Sequence, residues 1–334
     1  MDQETITRGI ISGIVDHYLR EISQDPHRGI RKLIDMAERT SEGPTQKICY
    51  QMMQKMAANQ SSPYYEMIHH LVTHLDPQTV KQFGMNLGHN AWAFGSGNIR
   101  RNILAGSDAL SWSVLIDRNR QPDRIPFSEI NEMIRKGREQ DIYAWIIRAS
   151  DTLDEWHDYV DLFLKQQDCV FGLMVRPGAV CSEILAEMSE LHNVMLLLEN
   201  DEPDWQLCAG ILAEKNILFS VCRFISGGSD AEEILNGSWL EESVRFYPVM
   251  AFTIAADGIS PELARTMKDF MWNTRLNQEY PILTSDLISD FVIINRLVAH
   301  RDAFYRVNAD GSVSLAEELL FEKTGMRCSD LFNF

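Results

Sequence analysis

A chain of 334 residues has room for one barrel-sized domain and an appendage, since a parallel barrel takes roughly 200 to 250 residues. Its 31 Lys and Arg stand against 48 Asp and Glu, and the net charge of -17 repels phosphate backbones and anionic lipid surfaces, which argues against nucleic acid and membranes as partners. No stretch approaches the roughly 18 uninterrupted apolar residues that cross a bilayer, and the acidic start at Asp2 and Glu4 is wrong for a secretory signal, so the expected location is the cytoplasm.

Residues 5–23 place Ile6, Ile10, Ile14, Tyr18 and Ile22 at helical spacing, and Ile11, Val15 and Leu19 widen the stripe into an amphipathic helix. Further helical patterns run over 28–40, 45–58 and 63–75, punctuated by Pro26, by Gly43 and Pro44, and by Ser61, Ser62 and Pro63. Residues 1–110 therefore read as all-helical.

From residue 111 the texture changes to short β-branched and aromatic runs that alternate with polar-faced helical stretches. The strand candidates are 111–117, 143–148, 170–176, 194–199, 218–224 and 247–255, with helices over 127–140, 152–167, 181–192, 203–215 and 230–243. Five consecutive strand-helix steps demand parallel strands joined by right-handed crossovers, and hence a curved sheet with helices outside. Beyond residue 258 a helix over 260–276 precedes a strand candidate at 280–286 and a hairpin over 304–313, where Gly311 supplies the positive φ of the turn.

Ligands of parallel barrels meet the carboxyl ends of the strands. Here Arg148, Arg176 and Arg223 close three runs, while Asp117, Glu199 and Asp257 close three others, with Asp151 beyond the second. Two readings follow: an anion-binding mouth, or a ring of salt bridges that satisfies itself. Ser226–Asp230 offers either backbone amides to a phosphate or an ordinary helix cap. The glycine-rich run from Gly95 to Arg101 follows a helix rather than a strand, which makes it a poor dinucleotide signature. Glu66, His70 and His74 share one helix face, so the two imidazoles either hold a metal with a third ligand or are exposed helix histidines; no metal site is expected. The six cysteines, Cys49, Cys169, Cys181, Cys208, Cys222 and Cys328, are scattered, contain no CxxC pair and read as buried free thiols.

The segments FGMNLGHNA (83–91), WSVLID (112–117), IPFSEINEMIRKGREQDIYAWII (125–147), DCVFGLMVRPG (168–178) and YRVNADGSV (305–313) occur in an order and texture that resembles the radical S-adenosylmethionine enzymes. The branch it resembles carries an N-terminal helical region and a SPASM-type C-terminal extension, and the likeness covers residues 60–313. It implies an α/β fold: a partial (β/α)6 parallel barrel of radical-SAM type over 111–258, with the helical region at 1–110 and a degenerate SPASM-like extension at 259–334.

The departures lie in the ligands. Where that family places a CxxxCxxC loop after the first strand, this chain runs from Asp117 to Arg124 without a cysteine. The glycine turn after the second strand reads Arg148, Ala149, Ser150, Asp151, and Cys328 stands alone where auxiliary cysteines would follow the hairpin. On that comparison the expectation is no cofactor: no four-iron cluster, and S-adenosylmethionine binding disfavoured. The implied function is a catalytically degenerate barrel that binds a peptide, a small anionic ligand or a protein partner, not an enzyme. The alternative is an enzyme of non-radical chemistry that uses Asp117, Asp151 or Glu199 as general acid or base beside an arginine clamp. The apolar faces of the first hundred residues pack either on the barrel or on a second copy, which leaves a homo-oligomer open.

Overall fold

The computed structural model describes residues 3–41, 43–106, 111–119, 124–149, 155–180 and 182–332. The helical region consists of α1 (Gln3–Gln24), α2 (Pro26–Thr40), α3 (Pro44–Ala58), α4 (Tyr64–His74), α5 (Pro77–Met85), a π-helical segment (Asn86–Gly95) and α6 (Ser96–Leu104). Prolines open α2, α3 and α5, where a missing N–H costs nothing, and the carboxylates of Asp25 and Asp76 accept from the backbone N–H of Arg28 at 3.0 Å and of Thr79 at 2.7 Å. The glycine-rich run from Gly95 lies within the continuous π-to-α6 helix, and a Cβ at Gly95 would stand 2.7 Å from the Asp141 carbonyl. That glycine serves close packing, which removes the dinucleotide reading.

Among the described residues the strands are β1 (Ser113–Asp117), β2 (Ala144–Arg148), β3 (Val170–Val175), β4 (Val194–Glu199), β5 (Phe219–Ile225), β6 (Met250–Ala255), β7 (Leu283–Asp286), β8 (Phe304–Val307), β9 (Ser312–Ala316) and β10 (Phe321–Arg327). Between and after them run α7 (Phe127–Glu139), α8 (Trp156–Lys165), α9 (Ser182–Met188), α10 (Trp205–Glu214), α11 (Gly228–Leu235), α12 (Ser238–Ser243), α13 (Pro261–Asn277), α14 (Leu287–Ala299) and α15 (Cys328–Phe332). Among the described residues no helix is long and apolar enough to cross a membrane.

One sheet holds all ten strands in the order β10-β9-β8-β1-β2-β3-β4-β5-β6-β7. Strands β1 to β8 are parallel, so the sheet departs from the six expected: β7 adds to β6, and β8 pairs in parallel with β1. The hairpin forms with Gly311 at φ 79°, yet its first strand belongs to the parallel sheet. Sequence order hides this, because β8 finds a partner nearly two hundred residues upstream.

The sheet curls into a partial barrel. Arg148 of β2 lies 3.8 Å over the Phe224 ring of β5, and Arg306 of β8 meets Asp257, just past β6, at 3.0 Å. In a flat sheet with strands about 4.8 Å apart neither pair could touch. No ladder joins β7 to β8; α14 stands at that seam, where Phe291 packs on Phe304 at 4.9 Å and Asn295 accepts from the Trp112 backbone N–H at 3.0 Å. Inside, Gly172 leaves room for its neighbours, since a Cβ there would lie 3.1 Å from Leu197 Cδ1.

The helical region closes the amino-terminal end of the barrel. Asn86 donates to the carbonyls of Gln167 and Cys169, each at 2.8 Å, Asn90 to that of Asp168 at 2.8 Å, and the Trp112 indole to that of Ala91 at 2.9 Å. Carbonyls that precede β3 thus find partners in helical side chains rather than water.

Asp286 ends β7 and caps α14, accepting from the Ser289 N–H at 3.0 Å and from the Thr253 hydroxyl at 3.2 Å. Burial, reinforced by the charge of Asp290 and opposed by these hydrogen bonds, raises its pKa to about 6. A carboxyl whose folded pKa exceeds its unfolded one costs nothing below pH 4 and its full penalty above about pH 6. Asp286→Asn keeps the cap and removes the charge. It is expected to stabilise the fold at pH 8 by about 1 to 3 kcal/mol, and the gain should vanish towards pH 4 in denaturant titrations; a pH-independent gain would contradict the assignment.

Candidate functional site

The carboxyl rim gathers charge around one carboxylate. Glu199, 2% exposed at the end of β4, accepts from Arg148 Nε at 2.8 Å and from Arg148 Nη2 at 3.0 Å, while Arg176 Nε stands 3.6 Å from its other side. Arg176 also reaches Glu202 at 3.6 Å. Burial works against the Arg148 charge, but hydrogen bonding to and the field of Glu199, with a further contribution from Asp117, raise its pKa above the ordinary arginine value. Asp117 accepts from the backbone N–H of Asn119 at 3.0 Å. The structure thus brings Asp117, Arg148, Arg176 and Glu199 together.

Arg223 does not join them. In β5 its register neighbour is Thr253, one residue out of phase with the inward Cys222 and Phe224, and its guanidinium pairs with Glu233 of α11 at 2.7 Å. Asp257 pairs with Arg306. Asp151 lies outside the described residues.

Sequence reasoning missed four rim residues. Arg306 sits in a strand assigned to the extension, and its guanidinium rests over Phe321 at 4.5 Å. Arg118 is 1% exposed, lies over Phe127 at 4.0 Å, donates to the Tyr159 hydroxyl at 3.0 Å and pairs with Glu155 at 2.9 Å, which fastens the start of the loop after β1 to α8. Phe224 supplies the ring under Arg148.

The fourth is Asn200. Its backbone N–H continues the ladder to Cys222, so by alternation its side chain takes the face opposite Glu199, beside Arg223. The residue is 2% exposed, and neither its amide nitrogen nor its amide oxygen has a hydrogen-bond partner; the same holds for Arg223 Nε. A buried polar atom left unpaired costs roughly 1 to 3 kcal/mol. Only strand phase, which a single run of apolar letters hides, could have singled out this position.

The remaining candidates resolve structurally. Asp230 accepts from the Ser226 backbone N–H at 2.9 Å and from its hydroxyl at 2.7 Å, so a carboxylate of the chain already holds the place a phosphate would take. His70 stacks face to face between His74 and Tyr247, each at 4.1 Å, and its pKa is lowered by burial first and by His74 second. Stacked rings do not converge on one ion, and among the described residues no three His, Cys, Asp or Glu side chains can share a metal. Cys169, Cys208, Cys222 and Cys328 are buried free thiols, with Cys49 half-buried and Cys181 outside the described residues. Burial raises each of those four thiols, Cys208 to about 11 and Cys328, aided by Glu129, to about 12.

No family model and no curated protein matches this chain. Among solved structures, Streptococcus suis SuiB bound to S-adenosylmethionine aligns over 71% of this chain at a TM-score of 0.49 and 7% identity. The match covers 66% of SuiB, just under two thirds of its length. A multifunctional pyruvate carboxylase from Rhizobium etli aligns over 69% of this chain and 27% of its own, at a TM-score of 0.29 and 11% identity. Likenesses this distant assign no chemistry. The first does correct one expectation: SuiB is bound to S-adenosylmethionine, so the expectation of no cofactor, with that binding disfavoured, is withdrawn.

Removal of one partner from a buried, hydrogen-bonded ion pair leaves the other charge stranded, at a cost of roughly 3 to 5 kcal/mol, whereas removal of both is far milder. Glu199→Gln is therefore expected to destabilise by about that much. Combining it with Arg148→Met should recover at least about 1 kcal/mol of the loss in urea unfolding; strict additivity would show that the pair is not coupled.

Proposed function

We propose that this chain is a radical-SAM-like barrel of the SPASM-type branch that acts as a ligand-binding or regulatory protein and not as a catalyst. The observation that carries the reading is the buried Asn200 amide, which presents a donor and an acceptor with no partner beside Arg223, whose Nε is likewise unpaired. A polar network keeps such a group where a bound molecule completes it. Arg223, with its unpaired Nε beside that amide, favours a carboxylate or phosphate on that molecule, and hence a small anionic ligand or a peptide with an acidic end.

Three further observations support binding over catalysis. Asp117 accepts a backbone hydrogen bond, Glu199 is held by two arginines and Asp257 by a third, an arrangement that leaves each of these carboxylates engaged by a partner in the chain. Cys222, the register partner of Glu199, is buried and pushed well above its ordinary pKa, chiefly by desolvation, which disfavours the nucleophilic thiolate. Arg148 and Arg306 are already engaged by Glu199 and Asp257.

Asn200→Leu separates a binding role from a structural one. Without ligand the variant should be as stable as the parent, or more stable by about 1 kcal/mol, because it deletes an unsatisfied buried amide. Calorimetric titration with S-adenosylmethionine and with a short acidic peptide should give a saturable signal for at least one probe in the parent chain, and the variant should lose it. A variant that binds as the parent does, or a ligand-free loss of several kcal/mol, would sink the assignment.

A further inference from the structure

Two helix faces of this chain are uncovered, and each has what the other lacks. On α3, Ile48 and Met52 lie one turn apart, 49% and 40% exposed, flanked by Lys47 and Lys55 on a helix without an acidic residue. On α10, Leu207 and Ile211 repeat the four-residue spacing, 70% and 38% exposed, flanked by the cap residue Asp204 and by Glu214 on a helix without a basic residue. Among the described residues, Lys47, Lys55, Asp204 and Glu214 have no side-chain ion partner.

We propose that a second copy of this chain covers these faces, with α3 of one copy along α10 of the next. Neither face fits itself: α3 on α3 sets lysine against lysine, and α10 on α10 sets carboxylate against carboxylate. The two together match in spacing and in sign. Laid parallel, Ile48 meets Leu207, Met52 meets Ile211 and Lys55 stands beside Glu214. Laid antiparallel, Met52 meets Leu207 and Lys55 stands beside Asp204.

The wider charge distribution agrees with this pairing. Residues 1–110 hold equal numbers of basic and acidic residues, so the net charge of -17 resides in the remainder. Contact between a neutral helical region and an acidic barrel spares the repulsion that a barrel-to-barrel pairing would meet. The contact joins unlike faces and is therefore heterologous, which gives it a signature that a two-fold self-contact lacks.

The test uses the full chain with Met52→Asp and, separately, Leu207→Asp, both at exposed positions, with circular dichroism to confirm folding and sedimentation velocity to read mass. The parent chain should associate above its monomer mass of 38.3 kDa as concentration rises, and less so in high salt. Each variant alone should sediment as a monomer, and an equimolar mixture should form a species of twice that mass, because each supplies the face the other has lost. Should either substitution disturb the fold, Lys47→Glu with Lys55→Glu must dissociate the parent in the same way and regain association with a chain carrying Asp204→Lys and Glu214→Lys. A parent chain that stays monomeric, a Leu207→Asp chain that still self-associates, or a mixture that stays monomeric would each overturn the proposal.

Discussion

A single carboxylate shared between two guanidinium groups organises the upper half of this barrel. Glu199 has almost no access to water and would cost several kcal/mol if it stood alone there, so its hold on Arg148 and Arg176 is a condition for β2, β3 and β4 to end where they do. Phe224 extends the same constraint to β5 by offering its ring face to Arg148. Four successive strands are thereby registered at their tops by side-chain electrostatics, in addition to the backbone ladders that join them along their lengths.

The opposite end is fixed by a different chemistry. Asn86, Asn90 and Trp112 tie the π-helical segment to β1 and to the carbonyls that lead into β3, and the His70–Tyr247 stack adds an aromatic contact from α4. These are neutral contacts, indifferent to salt, whereas those at the rim are ionic.

Much of this architecture was legible as sequence, and the failures have physical causes. The strands from β1 to β6 announce themselves because a sheet covered on both faces demands unbroken apolar runs, as in Val194–Glu199. Helix α14 escaped notice for a related reason: its apolar residues surround it rather than line one face, so no amphipathic stripe marks it. The membership of β7 and β8 in the parallel sheet depends on pairing between distant segments, which local pattern does not encode. At the rim, Arg148, Arg176 and Glu199 could be named from position. Arg223 could not be sorted from them, because one residue of phase decides whether a side chain enters the barrel or meets a helix. Asn200 was passed over for the same reason, one residue beyond the glutamate.

The unpaired seam between β7 and β8 bears on how such a barrel can move. In a closed cylinder every strand is bound to two neighbours, and a change of girth must break amide-to-carbonyl bonds along a whole ladder. Here the two sides of the seam are bridged by side chains, by Arg306 and Asp257 above and by the aromatic contacts of α14 behind. The cylinder is split like a spring collar, and along that line its edges are held by side chains while each strand keeps its backbone partners on the other side.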